Sequence, residues 1–244
     1  MAEVIAFVSG KGGTGKTSLC AGIATALALE GMQVLCIDCD VGLRNLDIAL
    51  GLSDLAAISF LEVYRGDYTL DQATVHPKYA NLRFLTAPIN CPTGKVDRFA
   101  FARMLDIART KFQYILLDAP AGIEAGFRMA ASISDRAILV SNADPASIRD
   151  AGRSAEELER MGKPARLIVN RLHKKTFKAL RLTVDDIMDD AGLPLLGIVP
   201  EDPNVVLSAA FRQPLLGYAR SGAAAACRRI AKRIRGIPTP IPMK

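Results

Sequence analysis

The segment 10–17 constrains the fold of this chain more than any other part of it. It reads Gly-Lys-Gly-Gly-Thr-Gly-Lys-Thr and directly follows an apolar run at 4–8. A glycine, four residues, a second glycine, a lysine and a hydroxyl residue make the P-loop pattern, which joins a strand to a helix and cradles phosphates. The apolar stretch at 19–30 supplies the helix. The sequence therefore predicts a strand–loop–helix unit that binds a nucleoside triphosphate.

Each residue type in the loop has a chemical reason. Glycines leave room for backbone N–H groups to face phosphate oxygens. Lys16 can reach the β- and γ-phosphates, and the Thr17 hydroxyl can bind Mg²⁺. We therefore predict that the nucleotide and its Mg²⁺ are held by a continuous set of residues. These are Gly10, Lys11, Gly12, Gly13, Thr14, Gly15, Lys16, Thr17 and Ser18.

Apolar segments of strand length alternate with helical patterns along the chain. The strand candidates are 4–8, 34–37, 82–85, 114–118, 137–140, 166–170 and 194–199. The helical patterns are 16–30, 97–111, 124–132, 146–161, 183–191 and 221–235. This alternation predicts an α/β fold with one doubly wound, mostly parallel sheet and helices on both faces. We expect a single domain over 1–236 and a Pro-rich tail over 237–244.

Carboxylates follow two of the predicted strands. Ligand sites in such sheets lie at the carboxyl ends of strands, where Asp40 and Asp118 stand. An acid that closes a buried strand is the expected magnesium-shell group of a P-loop protein, and a second acid can orient the attacking water. Aspartate is also common in turns and caps, which is the alternative for Asp40. The predicted metal ligands are Thr17, Asp40 and Asp118.

Three segments together resemble one family. The additional lysine of the P-loop, Lys11, makes the motif similar to the deviant P-loop of the MinD/ParA ATPases. The segment 38–47, Asp-Cys-Asp-Val-Gly-Leu-Arg-Asn-Leu-Asp, resembles switch I of the MinD branch. The segment 118–124, Asp-Ala-Pro-Ala-Gly-Ile-Glu, resembles its switch II. The resemblance covers residues 3–236.

The resemblance implies roles for particular residues. Lys11 would contact the nucleotide of the facing subunit in an ATP-dependent homodimer, and Asp40 would act on the hydrolytic water. The N–H of Gly122 would turn towards the γ-phosphate. Together with Lys16, this makes Lys11 and Asp40 the predicted catalytic residues.

Two further segments resemble the loops of MinD that contact adenine, and they favour ATP over GTP. One begins at Asn170 and the other follows the last predicted strand. The predicted base contacts are Asn170, Arg171, Pro200, Glu201 and Asp202.

The resemblance implies an ATPase that positions the division septum, with a MinC-like inhibitor and a MinE-like activator as partners. Arg149 and Asp150 are candidate partner contacts. A soluble nucleotide-switched scaffold, a flagellar-number regulator and a ParA-type DNA partition ATPase are the alternatives. The segments at 40–42 and 120–124 argue against the partition ATPase, so nucleic acid is not an expected partner.

Charge and apolar runs bear on location. No apolar run is long enough for a bilayer, and the start of the chain leaves no room for a signal peptide, so we expect a cytoplasmic protein. Residues 220–244 hold seven basic residues and no acid, against a net charge of +6 for the whole chain. The amphipathic anchor expected after the last MinD helix is not matched. Core packing of the helix at 221–235 is favoured, and peripheral membrane contact stays open.

The five cysteines are scattered, which fits reduced thiols. Cys36 and Cys39 form a Cys-x-x-Cys at a strand end, where alternation predicts that they point to opposite faces of the sheet. We therefore expect structural thiols rather than a metal cluster.

Overall fold

The computed structural model describes residues 2–89, 96–179 and 183–242. Cys91 and the last two residues of the predicted tail lie outside these ranges. Eight strands form one sheet in the order β3-β4-β2-β5-β1-β6-β7-β8. They are β1 (Glu3–Val8), β2 (Val34–Asp38), β3 (Thr74–His76), β4 (Tyr79–Leu85), β5 (Tyr114–Asp118), β6 (Arg136–Asn142), β7 (Ala165–Leu172) and β8 (Leu195–Pro200).

The described part of the chain also contains eleven α-helices and a 3₁₀ helix at Leu70–Gln72. The α-helices are α1 (Lys16–Leu29), α2 (Leu46–Leu50), α3 (Phe60–Arg65), α4 (Arg98–Ala108), α5 (Ala125–Ile133), α6 (Pro145–Arg160), α7 (Lys174–Ala179), α8 (Val184–Ala191), α9 (Asn204–Ala210), α10 (Leu215–Tyr218) and α11 (Gly222–Ile234).

Helices cover both faces of the sheet. In β1, Val4, Ala6 and Val8 join one core layer, while Ile5 and Phe7 join the other, because successive side chains point to opposite faces. Helices α1, α2, α10 and α11 bury the second layer, and α3–α6 with α8 bury the first. Every strand pair is parallel except β3–β4. The predicted doubly wound, mostly parallel fold is confirmed.

The structure adds one strand, five short α-helices and a 3₁₀ helix to the predicted elements. Strand β3 has three residues and pairs antiparallel with β4 at the sheet edge, so it carries too little pattern to be recognised alone. Helices α2, α3, α7, α9 and α10 have four to seven residues each. Helices this short depend on caps and tertiary packing rather than on periodicity.

Helix α11 packs inside the domain, as predicted. Its Ala223, Cys227 and Ile230 are almost fully buried against α1 and β8. A side chain at Gly197 of β8 would clash with Ile230, which shows how closely the helix approaches the sheet. The apolar face of α11 is therefore used in the core. None of the helices in the described ranges combines the length and apolarity needed to cross a bilayer.

The Pro-rich tail lies against the domain as far as the structure describes it. The Arg233 guanidinium donates to the carbonyl of Thr239 at 2.8 Å and to that of Leu196 in β8 at 2.6 Å. Ile241 then packs against the core layer opposite to α11. Residues 237–242 thus cross the β8 edge of the sheet, and the boundary at 236/237 stays a prediction.

The cysteines behave as expected within the described ranges. Cys36 belongs to one core layer and Cys39 to the other, and Cys20 and Cys227 are buried as well. All four are free thiols. Burial raises the pKa of the Cys227 thiol to about 12, so this thiol stays protonated and unreactive near neutral pH.

His76 is a buried histidine that is expected to link the stability of the fold to pH. Its Nε2–H donates to the Leu50 carbonyl at 3.0 Å, and its Nδ1 accepts the Lys78 N–H at 3.1 Å. Burial lowers the pKa of His76, against the effect of the Leu50 hydrogen bond. A lowered pKa stabilises the fold above the ordinary value of 6.5, and this contribution disappears as the pH falls.

We therefore expect acidification to lower the free energy of unfolding more in the wild type than in His76→Gln. The expected difference is about 1 kcal/mol, because a protonated Nδ1 cannot accept the Lys78 hydrogen bond. Urea unfolding between about pH 7 and about pH 5 measures this difference. If the free energies of unfolding of the two proteins changed in parallel with pH, this role of His76 would be contradicted.

Candidate functional site

The loop between β1 and α1 has an open, glycine-lined surface. Gly13 and Gly15 have φ angles of +79° and +84°, which favour glycine. No heavy atom lies within 4 Å of a Cβ built on Gly12 or Gly13. Helix α1 begins at Lys16 with no side-chain cap. The N–H groups of its first turn are therefore available to a ligand, and their partial positive charge favours an anion.

The loop is held in shape from both sides. A Cβ on Gly10 would clash with the Asp150 carbonyl of α6, and one on Gly15 would clash with Asn170 of β7. The Asn170 Nδ2 donates to the Thr14 carbonyl at 2.7 Å. This side chain is buried and braces the loop.

A buried ion pair lies beneath the loop. The Lys16 Nζ is 2.6 Å from the Asp118 carboxylate, and both side chains are less than a tenth exposed. Burial disfavours the charge of Lys16, but the attraction of Asp118 and its hydrogen bond outweigh this and raise the pKa of Lys16. Lys16 therefore carries its charge at every physiological pH.

Asp38 is a site residue that the sequence analysis did not select. It ends β2 in register with Asp118 of β5 and is fully buried. Burial and the Asp118 charge raise the pKa of Asp38 to about 7. Its carboxylate accepts the N–H groups of Asp40 at 2.9 Å and Leu46 at 3.2 Å. Asp38 thus shapes the loop that presents Asp40.

Above the Lys16–Asp118 ion pair lies a cavity of about 350 Å³. Asp40 lines it and is half-buried. Burial raises the pKa of its carboxyl group, and the Lys16 charge opposes that effect. Ten of the predicted site residues line the cavity. They are Lys11, Gly12, Gly13, Thr14, Gly15, Lys16, Thr17, Ser18, Asp40 and Arg171.

Lys11 differs from Lys16 in its surroundings. It is exposed at the mouth of the cavity, close enough to act on Asp144, the N-cap of α6. Burial would raise the pKa of Asp144, but hydrogen bonds from Ser147 and the charge of Lys11 lower it. One loop therefore offers a buried lysine and an exposed one.

The remaining predicted residues lie outside the cavity lining. Asp118 stands behind Lys16, and Gly10 and Asn170 lie against the loop. The Gly122 N–H donates to the Ser9 carbonyl at 2.9 Å. Three further predicted residues do not line the cavity: Pro200, Glu201 and Asp202.

Asp202 does not line the cavity, and its carboxylate accepts hydrogen bonds from two backbone N–H groups. Its Oδ1 accepts the Asn204 N–H at 2.9 Å, and its Oδ2 accepts the Ala223 N–H at 2.9 Å, at the start of α11. The carboxylate therefore links the starts of α9 and α11. These pairings depend on packing between elements, which the sequence does not show.

The cavity lining also contains residues that the sequence analysis missed. Three of them, Val205, Ser208 and Ala209, come from α9. Pro203 at the N-cap of α9 was the available signal, since proline is common at helix starts. The others are Ser9, Leu43, Asn45, Ile48, Ala49, Ala121 and Leu215.

The residues present fit a polyanion with a divalent cation. Two lysines, an arginine and uncapped helix N–H groups supply positive potential, while Thr17 and Asp40 offer oxygen ligands of the kind that Mg²⁺ prefers. The open space over Gly12 and Gly13 leaves room for phosphate oxygens. Fold and site together define a P-loop nucleotide-binding protein.

Comparisons with known proteins agree with this class of protein. The model of the CobQ/CobB/MinD/ParA nucleotide binding domain matches residues 5–215. The septum site-determining protein MinD of Synechocystis sp. is 37% identical over 98% of this chain and 92% of its own length. A chain of the Aquifex aeolicus MinC:MinD cell division protein complex superposes with a TM-score of 0.90 at 37% identity, covering 98% of both chains.

The Pyrococcus horikoshii MinD, solved with Mg-ADP, superposes with a TM-score of 0.84 at 29% identity, covering 96% of both chains. This chain belongs to the CobQ/CobB/MinD/ParA family, within its MinD group, and is a P-loop ATPase. The resemblance inferred from the motifs is confirmed.

Proposed function

We propose that this protein binds ATP with Mg²⁺, dimerises on ATP and hydrolyses it to regulate where the division septum forms. The observation that carries this proposal is the contrast between two lysines of one loop. Lys16 is buried and paired with Asp118, whereas Lys11 is exposed at the cavity mouth. A lysine in that position is free to reach a nucleotide held by a second copy of the chain.

The proposed roles follow from where each side chain lies. Lys16 binds the β- and γ-phosphate oxygens, and Asp40 orients the attacking water. Thr17, Asp40 and Asp118 would hold Mg²⁺ once Lys16 leaves Asp118 for the phosphates, and the charge of the ion would offset that of the phosphates. Gly122 gives its N–H to the γ-phosphate in place of the Ser9 carbonyl.

The base is assigned to the part of the cavity beside Arg171 and α9. Val205 and Ala209 offer apolar surface there. We propose Arg171, Pro200 and Glu201 as base contacts. Asn170 and Asp202 have their side chains engaged in hydrogen bonds, so our proposal gives these two a positioning role.

The partners we propose are a MinC-like inhibitor and a MinE-like activator. The Aquifex MinD is solved in a complex with MinC. Helix α6 is the proposed contact, because its exposed Arg149 and half-buried Asp150 stand beside the P-loop at Gly10. The proposed location is the cytoplasm, including the inner face of the cell membrane when the protein is part of a septum-placing assembly.

Lys11→Ala tests the proposal. We expect it to leave ATP affinity within about threefold of the wild type, because Lys16 and the backbone N–H groups still hold the phosphates. The dimer formed in MgATP should weaken by at least about tenfold, the size of one lost charge-assisted hydrogen bond. Analytical ultracentrifugation in MgATP and MgADP measures the dimer.

Lys232→Ala is the matched control, because it removes the same charge from the exposed side of α11. Its dimer should equal that of the wild type. A wild-type chain that stays monomeric in MgATP would overturn the proposed function. Unchanged dimers of Lys11→Ala would remove Lys11 from the interface.

A further inference from the structure

Ser9 is hydrogen-bonded both to the P-loop and to the 119–124 loop. It follows β1, is 1% exposed and lines the cavity. Its Oγ–H donates to the Lys11 carbonyl at 3.1 Å. Its own carbonyl accepts the Gly122 N–H at 2.9 Å. One residue therefore bonds both the exposed lysine and the switch glycine.

The hydroxyl of Ser9 supports a part of the loop that has little other support. Within the described ranges, two side chains donate to carbonyl groups of the loop. Asn170 reaches Thr14, and Ser9 reaches Lys11. The intervening Gly12 and Gly13 have open space around them. The backbone direction at Lys11 therefore depends on the Ser9 hydroxyl.

The carbonyl of Ser9 holds a glycine that has room to move. Gly122 has a φ angle of +92°, and no heavy atom lies within 4 Å of a Cβ built on it. Its N–H is bonded to Ser9 in this structure, so a phosphate oxygen has to compete with the Ser9 carbonyl for that donor. The bond to Ser9 and a bond to phosphate exclude each other.

We propose, resting on the function proposed above, that Ser9 is the positioning residue that couples Lys11 to the 119–124 loop. Its hydroxyl aims the Lys11 backbone so that the side chain reaches the partner's nucleotide. Its carbonyl retains the Gly122 N–H until a γ-phosphate draws it away. Ser9 therefore acts on dimer formation and turnover, and acts little on the binding of the nucleotide itself.

Ser9→Ala tests this coupling because it removes the hydroxyl and keeps the carbonyl. We expect the ATP dissociation constant and KM to stay within about threefold of the wild type. The MgATP dimer should weaken and kcat should fall, each by about tenfold, the size of one lost hydrogen bond. Fluorescent-nucleotide titration, ultracentrifugation and phosphate release measure these quantities.

Ser134→Ala is the matched control. Its buried hydroxyl also donates to a backbone carbonyl, that of Ala131 at 2.9 Å, but on a segment outside the cavity lining. It should leave the ATP affinity, the dimer and kcat at wild-type values.

Two results with a dimerising wild type would overturn the role of Ser9 and leave the proposed function intact. One is an unchanged dimer and kcat in Ser9→Ala. The other is a loss of ATP affinity by the same factor as the loss of dimer, which would mark Ser9 as a general support of the loop. A wild type that does not dimerise in MgATP would instead overturn the proposed function, and this inference with it.

Discussion

Lys16→Ala is expected to lower the affinity for ATP by at least about 100-fold. The lysine is the buried cation of the site and the residue placed to bond two phosphate groups. Each charge-assisted hydrogen bond contributes about 1.5–3 kcal/mol, so losing two accounts for a change of this size. Titration with a fluorescent ATP analogue measures it.

The same substitution should destabilise the fold. Asp118 would remain buried without its cation, and Asp38 lies beside it. Removing one member of a buried ion pair costs about 3–5 kcal/mol, because it leaves an uncompensated charge. Urea unfolding of the nucleotide-free protein gives the difference.

A double variant separates the two effects. Adding Asp118→Asn to Lys16→Ala removes the uncompensated charge, so most of the lost stability should return. The affinity for ATP should stay low, because the phosphates still lack their lysine. If affinity returned together with stability, Lys16 would be a structural residue and our assignment would be wrong.

Asp40→Ala is expected to lower kcat by at least about 100-fold, the range of a lost general base or water-orienting group. The affinity for ATP should change little, because Lys16 and the loop still hold the phosphates and Thr17 and Asp118 remain as proposed Mg²⁺ ligands. The substitution removes the hydrogen bond from the Leu43 N–H to the Asp40 carboxylate, but the loop keeps the bond from the Asp40 N–H to Asp38 and should keep its shape. ATP-bound dimers should therefore accumulate.

Asp47→Ala is a matched control for Asp40→Ala. Asp47 belongs to the same segment, but its carboxylate accepts the Ile48 N–H and does not line the cavity. Phosphate release and ultracentrifugation in MgATP should show normal turnover for this control and trapped dimers for Asp40→Ala. Normal turnover by Asp40→Ala would contradict its role in hydrolysis.

Much of the fold was predictable from local patterns. Continuous apolar runs predicted the central strands because those strands are buried on both faces. The P-loop motif predicted the start of α1 at Lys16, since its spacing is local. Short elements were missed because three to seven residues carry little periodicity. Among them, β3 depends on pairing with β4, and the start of α9 is held by the Asp202 carboxylate, which also bonds the start of α11.

The residues of the candidate site also divide into those that local spacing predicts and those that only the fold brings together. Loop residues from Lys11 to Ser18 lie at the cavity because they are consecutive in the chain. Asp38 was not selected because its partner Asp118 is brought beside it by sheet register. The amide of Asn170, a predicted base contact, bonds the carbonyl of Thr14. No pattern within a single segment indicates such a pairing.

The sequence by itself determined the P-loop, the alternation of strands and helices, the family and the residue types available for phosphate and Mg²⁺. All of these depend on residue spacing within short segments. Only the tertiary structure decided that Lys16 pairs with Asp118, 102 positions away, and that Asn170 braces Thr14, 156 positions away. The same holds for the bonds of Ser9 and Gly122. Such contacts arise because parallel strands bring distant segments to one edge of the sheet, where buried polar groups must find partners.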